Sequence, residues 1–201
     1  MYAQITTRCN MLCRHCCFSC GPDGEDMRAP IFEQAVQLAV RNDNELCIGG
    51  GEPTIHPEFD YFLEFAMQHK CRVWITTNGK RTDQALRLLE LAKTRKIEYV
   101  RLSLDDYHEP ISRTVRKAYR KAAMRGRIEI ATVKVVYPIG RGRKLTTGKI
   151  LFPPTCDSGI FIKPNGDIYQ CACLGAPKIC DVWSYQPIRK SCYNIEYRKS
   201  G

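Results

Sequence analysis

The chain has 201 residues, 44% of them apolar, which suits one compact domain with a true core and argues against wholesale disorder. Its formal net charge of +10 suits solvated basic faces or, more sharply, an acidic partner, and no window approaches the roughly eighteen uninterrupted apolar residues of a membrane span. Twelve cysteines, behind a start with no basic stretch followed by an apolar run, argue against a secreted disulfide scaffold. They predict a cytoplasmic protein whose clustered thiolates bind metal.

Tyr2–Thr6 is a short β-leaning run ending at a cysteine loop, and residues 17–29, rich in Gly, Pro, Asp and Cys, read as loop. A helix is expected from Pro30, with Phe32, Val36, Leu38, Ala39 and Val40 at mostly helical spacing. Glu45–Ile48 predicts a second strand, stopped by Gly49, Gly50 and Gly51. Pro57–His69 predicts an amphipathic helix, and Arg72–Thr77 a third strand closed by Asn78-Gly79. A leucine-rich helix over Thr82–Arg95, a strand over Glu98–Leu104, a basic helix over Glu109–Arg125 and a strand over Ile128–Tyr137 complete the series.

This alternation predicts an α/β fold of parallel βα units. Five or six strands are too few for the closed eight-stranded barrel, so the expectation is a partial (β/α) barrel. Residues 138–155 read as a linker. Beyond it, Gly159–Lys163 and Asp167–Cys171 flank Pro164-Asn165-Gly166, a hairpin signal. The expected division is a core over 1–150 and a small β-hairpin, cluster-binding extension over 151–201.

Parallel βα units gather functional loops at the carboxyl ends of their strands. The unusual residues fall there: Cys9-x-x-x-Cys13-x-x-Cys16 after the first strand, Gly50-Gly51-Glu52-Pro53 after the second, Thr76-Thr77-Asn78-Gly79 after the third, and Ser103-Leu104-Asp105 after the fourth. Three thiols in one short loop can wrap one corner of an iron–sulfur cubane and leave one iron without a protein ligand. Structural zinc prefers a closed set of four ligands, which Cys17 or Cys20 could complete.

Cys9–Cys16, together with Gly50–Pro53 and Ser103–Asp105 in order at successive strand ends, resembles the radical S-adenosylmethionine (radical SAM) superfamily over roughly residues 3–137. The resemblance implies a [4Fe–4S] cluster on Cys9, Cys13 and Cys16, whose open iron chelates S-adenosylmethionine. One electron then cleaves a carbon–sulfur bond and yields a 5′-deoxyadenosyl radical that abstracts hydrogen from a substrate. It further implies cofactor contacts from Gly50, Gly51 and Glu52, with Glu52 accepting from the ammonium group, and from Asn78, Ser103, Asp105 and His15, the last beside the adenine. A reductase, flavodoxin or ferredoxin would supply the electron.

Cys156 and Cys171, on either side of the hairpin, resemble the opening of the auxiliary-cluster extensions called twitch and SPASM. A second [4Fe–4S] cluster on Cys156, Cys171, Cys173 and Cys180 is therefore expected, with Cys192 in reserve and structural zinc as the alternative. Cys47 and Cys71 read as core residues. Twitch and SPASM relatives suggest a peptide or protein substrate, ahead of a small molecule such as a sugar or nucleotide, or a partner protein that receives a glycyl radical. The non-enzymatic alternative is a zinc-binding module that holds nucleic acid on the basic helix; the basic groups of the chain lie over Arg113–Arg127 and Arg141–Lys149. These read as a solvated face or as a surface for an acidic partner, and no aromatic–basic interleaving singles out nucleic acid.

Overall fold

The computed structural model describes residues 1–123, 126–133, 136, 140–145, 159–170 and 176–185. Strands β1 (Tyr2–Thr6), β2 (Glu45–Gly50), β3 (Arg72–Thr77), β4 (Tyr99–Ser103) and β5 (Ile128–Ala131) alternate with helices α1 (Ala29–Arg41), α2 (Phe59–Gln68), α3 (Thr82–Lys93) and α4 (Arg113–Ala122). The five strands are parallel and adjacent in sequence order, the partial (β/α) barrel that the alternation predicts.

The pleat sorts the side chains onto two faces. Ala3, Ile48, Ile75, Val100 and Ile128 align across the ladder and are buried. They share one core with Phe32 and Val36 of α1, Phe62 and Leu63 of α2, and Leu88 and Leu89 of α3. Phe32 and Phe62 stack with ring centroids 4.1 Å apart, locking α1 to α2. The alternate positions form a second row across four strands: Tyr2, Cys47, Trp74 and Tyr99. Tyr2, from this row, and the ends of β2, β3 and β4 line the site cavity.

The C-terminal hairpin continues the same sheet. Strand β6 (Phe161–Ile162) pairs parallel to β1, and β7 (Asp167–Tyr169) and β8 (Lys178–Asp181) follow antiparallel, giving the order β5-β4-β3-β2-β1-β6-β7-β8. Gly166 in the turn has φ 88°, as the Asn-Gly signal requires.

Three expected boundaries shift for local reasons. Pro110 biases Glu109 away from helical backbone, so α4 starts at Arg113, where the Ser112 hydroxyl accepts from the Thr114 N–H. The helix expected from Pro57 begins at Phe59, behind a 3₁₀ turn over Pro53–Ile55 capped by Glu52. The β5 ladder ends at Ala131, and Val133 N–H donates to Asp105 instead. Among the described residues, no helix is long and apolar enough to cross a membrane.

Candidate functional site

The loop after β1 is held from three directions. Residues 21–27 run back along it: Cys9 N–H donates to the Gly21 carbonyl at 2.6 Å, Thr7 N–H to Glu25 at 2.8 Å, and Met27 N–H to Ile5 at 2.7 Å. The Arg8 guanidinium pairs with Asp26 at 2.7 Å. From the other side, a 3₁₀ turn over Gly140–Lys144 clamps the loop. Arg141 donates through its backbone N–H to the Cys16 carbonyl (2.9 Å) and through Nε to the Cys13 carbonyl (3.0 Å). From β3, Asn78 Nδ2 reaches Asn10 Oδ1 at 2.8 Å and approaches Cys9 Sγ at 3.7 Å.

So held, Cys9, Cys13 and Cys16 wall one cavity of about 370 Å³, together with Gly50, Gly51, Thr76, Thr77, Asn78, Ser103, His15 and His108. Their spacing tests the zinc alternative. Tetrahedral zinc with Zn–S near 2.3 Å would hold sulfurs about 3.8 Å apart. Among the described residues, no three cysteine sulfurs lie within 4.8 Å of one another.

Burial pushes the Cys9 thiol up, and burial beside Cys9 and Cys16 pushes Cys13 up to about 11. Cys16 is pushed down to about 5 by its side-chain hydrogen bond with Cys20, and Cys20 rises for the same reason. A cation such as iron bound at these sulfurs would offset the burial that opposes ionisation of Cys9 and Cys13.

At the end of β2, Gly50 and Gly51 form cavity wall, but they are needed first by the chain itself. A Cβ on Gly51 would sit 1.9 Å from the Arg8 carbonyl oxygen. One on Gly50, whose φ is 140°, would sit 2.2 Å from that of Thr6. Glu52 is wholly buried behind this wall. Its Oε1 accepts from Thr54 Oγ1 (2.5 Å), Thr77 Oγ1 (2.7 Å) and Thr54 N–H (3.2 Å), and Oε2 from Asn78 N–H (2.7 Å). Glu52 thus braces the β2 and β3 ends while keeping spare acceptor capacity on Oε2. Burial raises its pKa despite these donors.

At the end of β4, Ser103 faces the cavity, while Asp105 stands behind it. The Asp105 side chain is 6% exposed. It accepts from His108 Nδ1 (2.8 Å), Tyr107 N–H (2.9 Å) and Val133 N–H (3.2 Å). Burial opposes ionisation of Asp105, but these donors win and lower its pKa. The Asp105 carboxylate holds the His108 ring through Nδ1 and so fixes its orientation. Asp105 caps no helix.

His15 packs edge-on to His108, with centroids 4.8 Å apart, and its Nδ1 is buried without a hydrogen-bond partner. Burial lowers its pKa. Ligand atoms of His15, Asp105 and His108 lie within 4.8 Å of one another. Asp105 is already satisfied by three donors, so the trio reads as a carboxylate orienting an imidazole.

Thr77 falls within the expected Thr76–Gly79 motif, whereas Arg141 and His108 were not among the expected cofactor contacts. A three-residue offset from Asp105 was the one available signal for His108. Of the expected auxiliary ligands, Cys180 is half-buried on β8, paired with Ile168, whereas Cys156, Cys171 and Cys173 lie outside the described residues, as does Cys192. Cys71 joins the core just before β3, as expected, whereas Cys47 is half-buried on β2 and outside that core.

The fold and cavity define an α/β protein that carries three thiols over the carboxyl ends of parallel strands, an arrangement for an iron–sulfur centre. Residues 3–132 match the Radical SAM superfamily, and the chain belongs to that family. It is 32% identical over 120 residues to the mycofactocin maturase MftC of Mycobacterium ulcerans (strain Agy99), covering 57% of this chain and 31% of that protein. It is 30% identical over 111 residues to the antilisterial bacteriocin subtilosin biosynthesis protein AlbA of Bacillus subtilis (strain 168), covering 54% and 24%. The match thus spans less than a third of each relative's length. The fold is similar to that of BtrN, solved in complex with AdoMet and 2-DOIA, with a TM-score of 0.58 at 15% identity, covering 85% of this chain and 71% of that one.

The family implies a [4Fe–4S] cluster and S-adenosylmethionine. The residues present fit both: three thiols share a cavity wall with two glycines, and the orphaned His15 nitrogen lies beside them.

Proposed function

We propose that this protein reductively cleaves S-adenosylmethionine and uses the resulting radical to abstract hydrogen from a peptide or protein. The observation that carries the reading is the single cavity shared by Cys9, Cys13, Cys16, Gly50, Gly51, Asn78 and Ser103. When bound, the cluster and S-adenosylmethionine together supply one-electron scission of a carbon–sulfur bond and a 5′-deoxyadenosyl radical.

The chain's own residues bind and orient. Cys9, Cys13 and Cys16 hold the cluster and leave one iron without a protein ligand. Gly50 and Gly51 let backbone approach the methionine portion closely. Glu52, held by Thr54, Thr77 and Asn78, offers its spare Oε2 capacity to the ammonium group. Ser103 and the Asp105-oriented His108 present polar atoms to the ribose side, and His15 lies beside the adenine.

The names of MftC and AlbA, a maturase and a bacteriocin biosynthesis protein, support a peptide substrate ahead of a sugar or nucleotide. The twitch-like arrangement remains part of the reading: Cys156, Cys171, Cys173 and Cys180 would hold a second [4Fe–4S] cluster over residues 151–201, beside the core of 1–150.

Anaerobic reconstitution with iron and sulfide, followed by dithionite and S-adenosylmethionine, tests the chemistry. The expected product is 5′-deoxyadenosine, and none from fully loaded protein would overturn the reading. Adding a candidate peptide should give a two-dalton loss or a new crosslink by mass spectrometry. Roughly eight irons per chain would support two clusters and roughly four would leave one.

A further inference from the structure

Helix α4 carries five cations in ten residues: Arg113, Arg116, Lys117, Arg120 and Lys121. At about 100° per residue they fall within an arc of about 140°. The buried residues Val115, Tyr119 and Ala122 occupy the opposite side, where Tyr119 donates to the Ala85 carbonyl at 2.9 Å. None of the five has an acidic partner among the described residues. The sequence outside those residues contains two carboxylate side chains, Asp157 and Glu196, too few to neutralise them.

Like charges at i,i+4 cost a few tenths of a kcal/mol per pair, and this helix contains three such pairs: 113/117, 116/120 and 117/121. Arg113 also stands in the first turn, where the helix dipole disfavours a cation. The helix therefore keeps an unneutralised field pointing outward.

Two features select the partner. First, none of the exposed large apolar side chains among the described residues lies on α4, so the face offers charge without an apolar anchor. Tight peptide grooves rely on buried anchors, whereas brief redox encounters are small, electrostatically steered and salt-sensitive. Second, the start of α4 adjoins the cysteine loop. Ile111 packs against the Cys9, Met11 and Cys13 cluster, and Glu109 accepts from Leu12 N–H at 3.0 Å.

We propose that the basic face of α4 is the docking surface for an acidic, protein-borne one-electron donor that reduces the cluster. This inference rests on the function proposed above. On docking, one electron passes from the reduced donor to the oxidised cluster, and no bond forms or breaks between the proteins.

The test is titration of the reconstituted protein with an oxidised acidic flavodoxin, followed by flavin fluorescence and requiring no turnover. The variant Arg113→Gln/Lys117→Gln/Lys121→Gln should bind at least ten-fold more weakly at low salt, with a shallower salt dependence. Lys117→Arg/Lys121→Arg should bind as wild type. Turnover with reduced flavodoxin should fall in the Gln variant while turnover with dithionite stays unchanged.

Equal flavodoxin binding by wild type and the Gln variant would overturn the proposal. So would a wild type that ignores flavodoxin but binds an RNA oligonucleotide or a polyglutamate peptide through the same residues, or an equal loss with both reductants. Absence of 5′-deoxyadenosine with dithionite would remove the proposed chemistry instead, leaving the titration to decide the surface.

Discussion

Arg141 Nε donates to the carbonyl of Cys13 at 3.0 Å, joining the turn after the barrel strands to the first cysteine loop across 128 residues of chain. Its backbone N–H bonds the Cys16 carbonyl as well, so the loop between two expected ligands is gripped at both ends. Arg141→Ala keeps the backbone bond and loses the side-chain one. A single such hydrogen bond contributes about 1 kcal/mol, so the fold should survive. The reconstituted variant should lose iron to a chelator several-fold faster than wild type. Equal rates would show that the clamp does not hold the loop.

Gly51 is required by the chain before any ligand arrives. Its added Cβ would lie 1.9 Å from the Arg8 carbonyl oxygen and 3.2 Å from Cys9 Cβ. Neither neighbour can yield cheaply, because Glu52 N–H donates to that same carbonyl at 2.9 Å. Gly51→Ala should lower stability by about 1–3 kcal/mol or more in urea unfolding. Gly21→Ala, whose Cβ meets only Leu12 Cδ2 at 3.4 Å, should cost much less. Similar losses at both positions would mean that the close approach at Gly51 relaxes freely.

The parts legible in the sequence are those governed by one local rule. The β3 strand over Arg72–Thr77 and the start of α3 at Thr82 coincide with their expected positions, because alternation and leucine spacing carry them. Helix ends were less legible, since the usual glycine is missing: Asn44, Lys70 and Arg95 take φ of 58°, 56° and 60° after α1, α2 and α3. Long-range relations left no local mark. Nothing in Phe161-Ile162 indicates parallel pairing with β1, and nothing in Gly140–Lys144 indicates a clamp on the cysteine loop. The motif residues Cys9, Gly51, Asn78 and Ser103 were legible because successive strand ends must converge in a parallel sheet. Asp105 was legible by position, but its place behind His108 follows from the turn, whose Tyr107 N–H and His108 Nδ1 both donate to it.

The Asp105–His108 pair gives stability a defined acid dependence. The Asp105 carboxyl is held below its ordinary value of about 3.9, so its ionised form is favoured by folding. A depressed carboxylate stabilises fully above the unfolded pKa, and the contribution vanishes as pH falls through the folded one. Asp105→Asn should therefore melt below wild type above about pH 4, and the two curves should converge at lower pH. A gap that stays constant across this range would assign the loss to packing rather than to charge.

Cys20 decides whether the cysteine loop leaves a coordination position open. It is 2% exposed, and its sulfur accepts from Gln4 Nε2 and donates to the Phe18 carbonyl, each at 3.9 Å. These contacts give it a place inside the protein independent of iron. Cys16→Ala should strip one cluster's worth of iron, about four atoms per chain, as should Cys9→Ala and Cys13→Ala. Cys20→Ala should retain that iron and the broad visible absorbance, and it should still cleave S-adenosylmethionine. If Cys20→Ala instead loses as much iron as Cys9→Ala, four thiols of this chain close the site, and S-adenosylmethionine has no iron on which to dock.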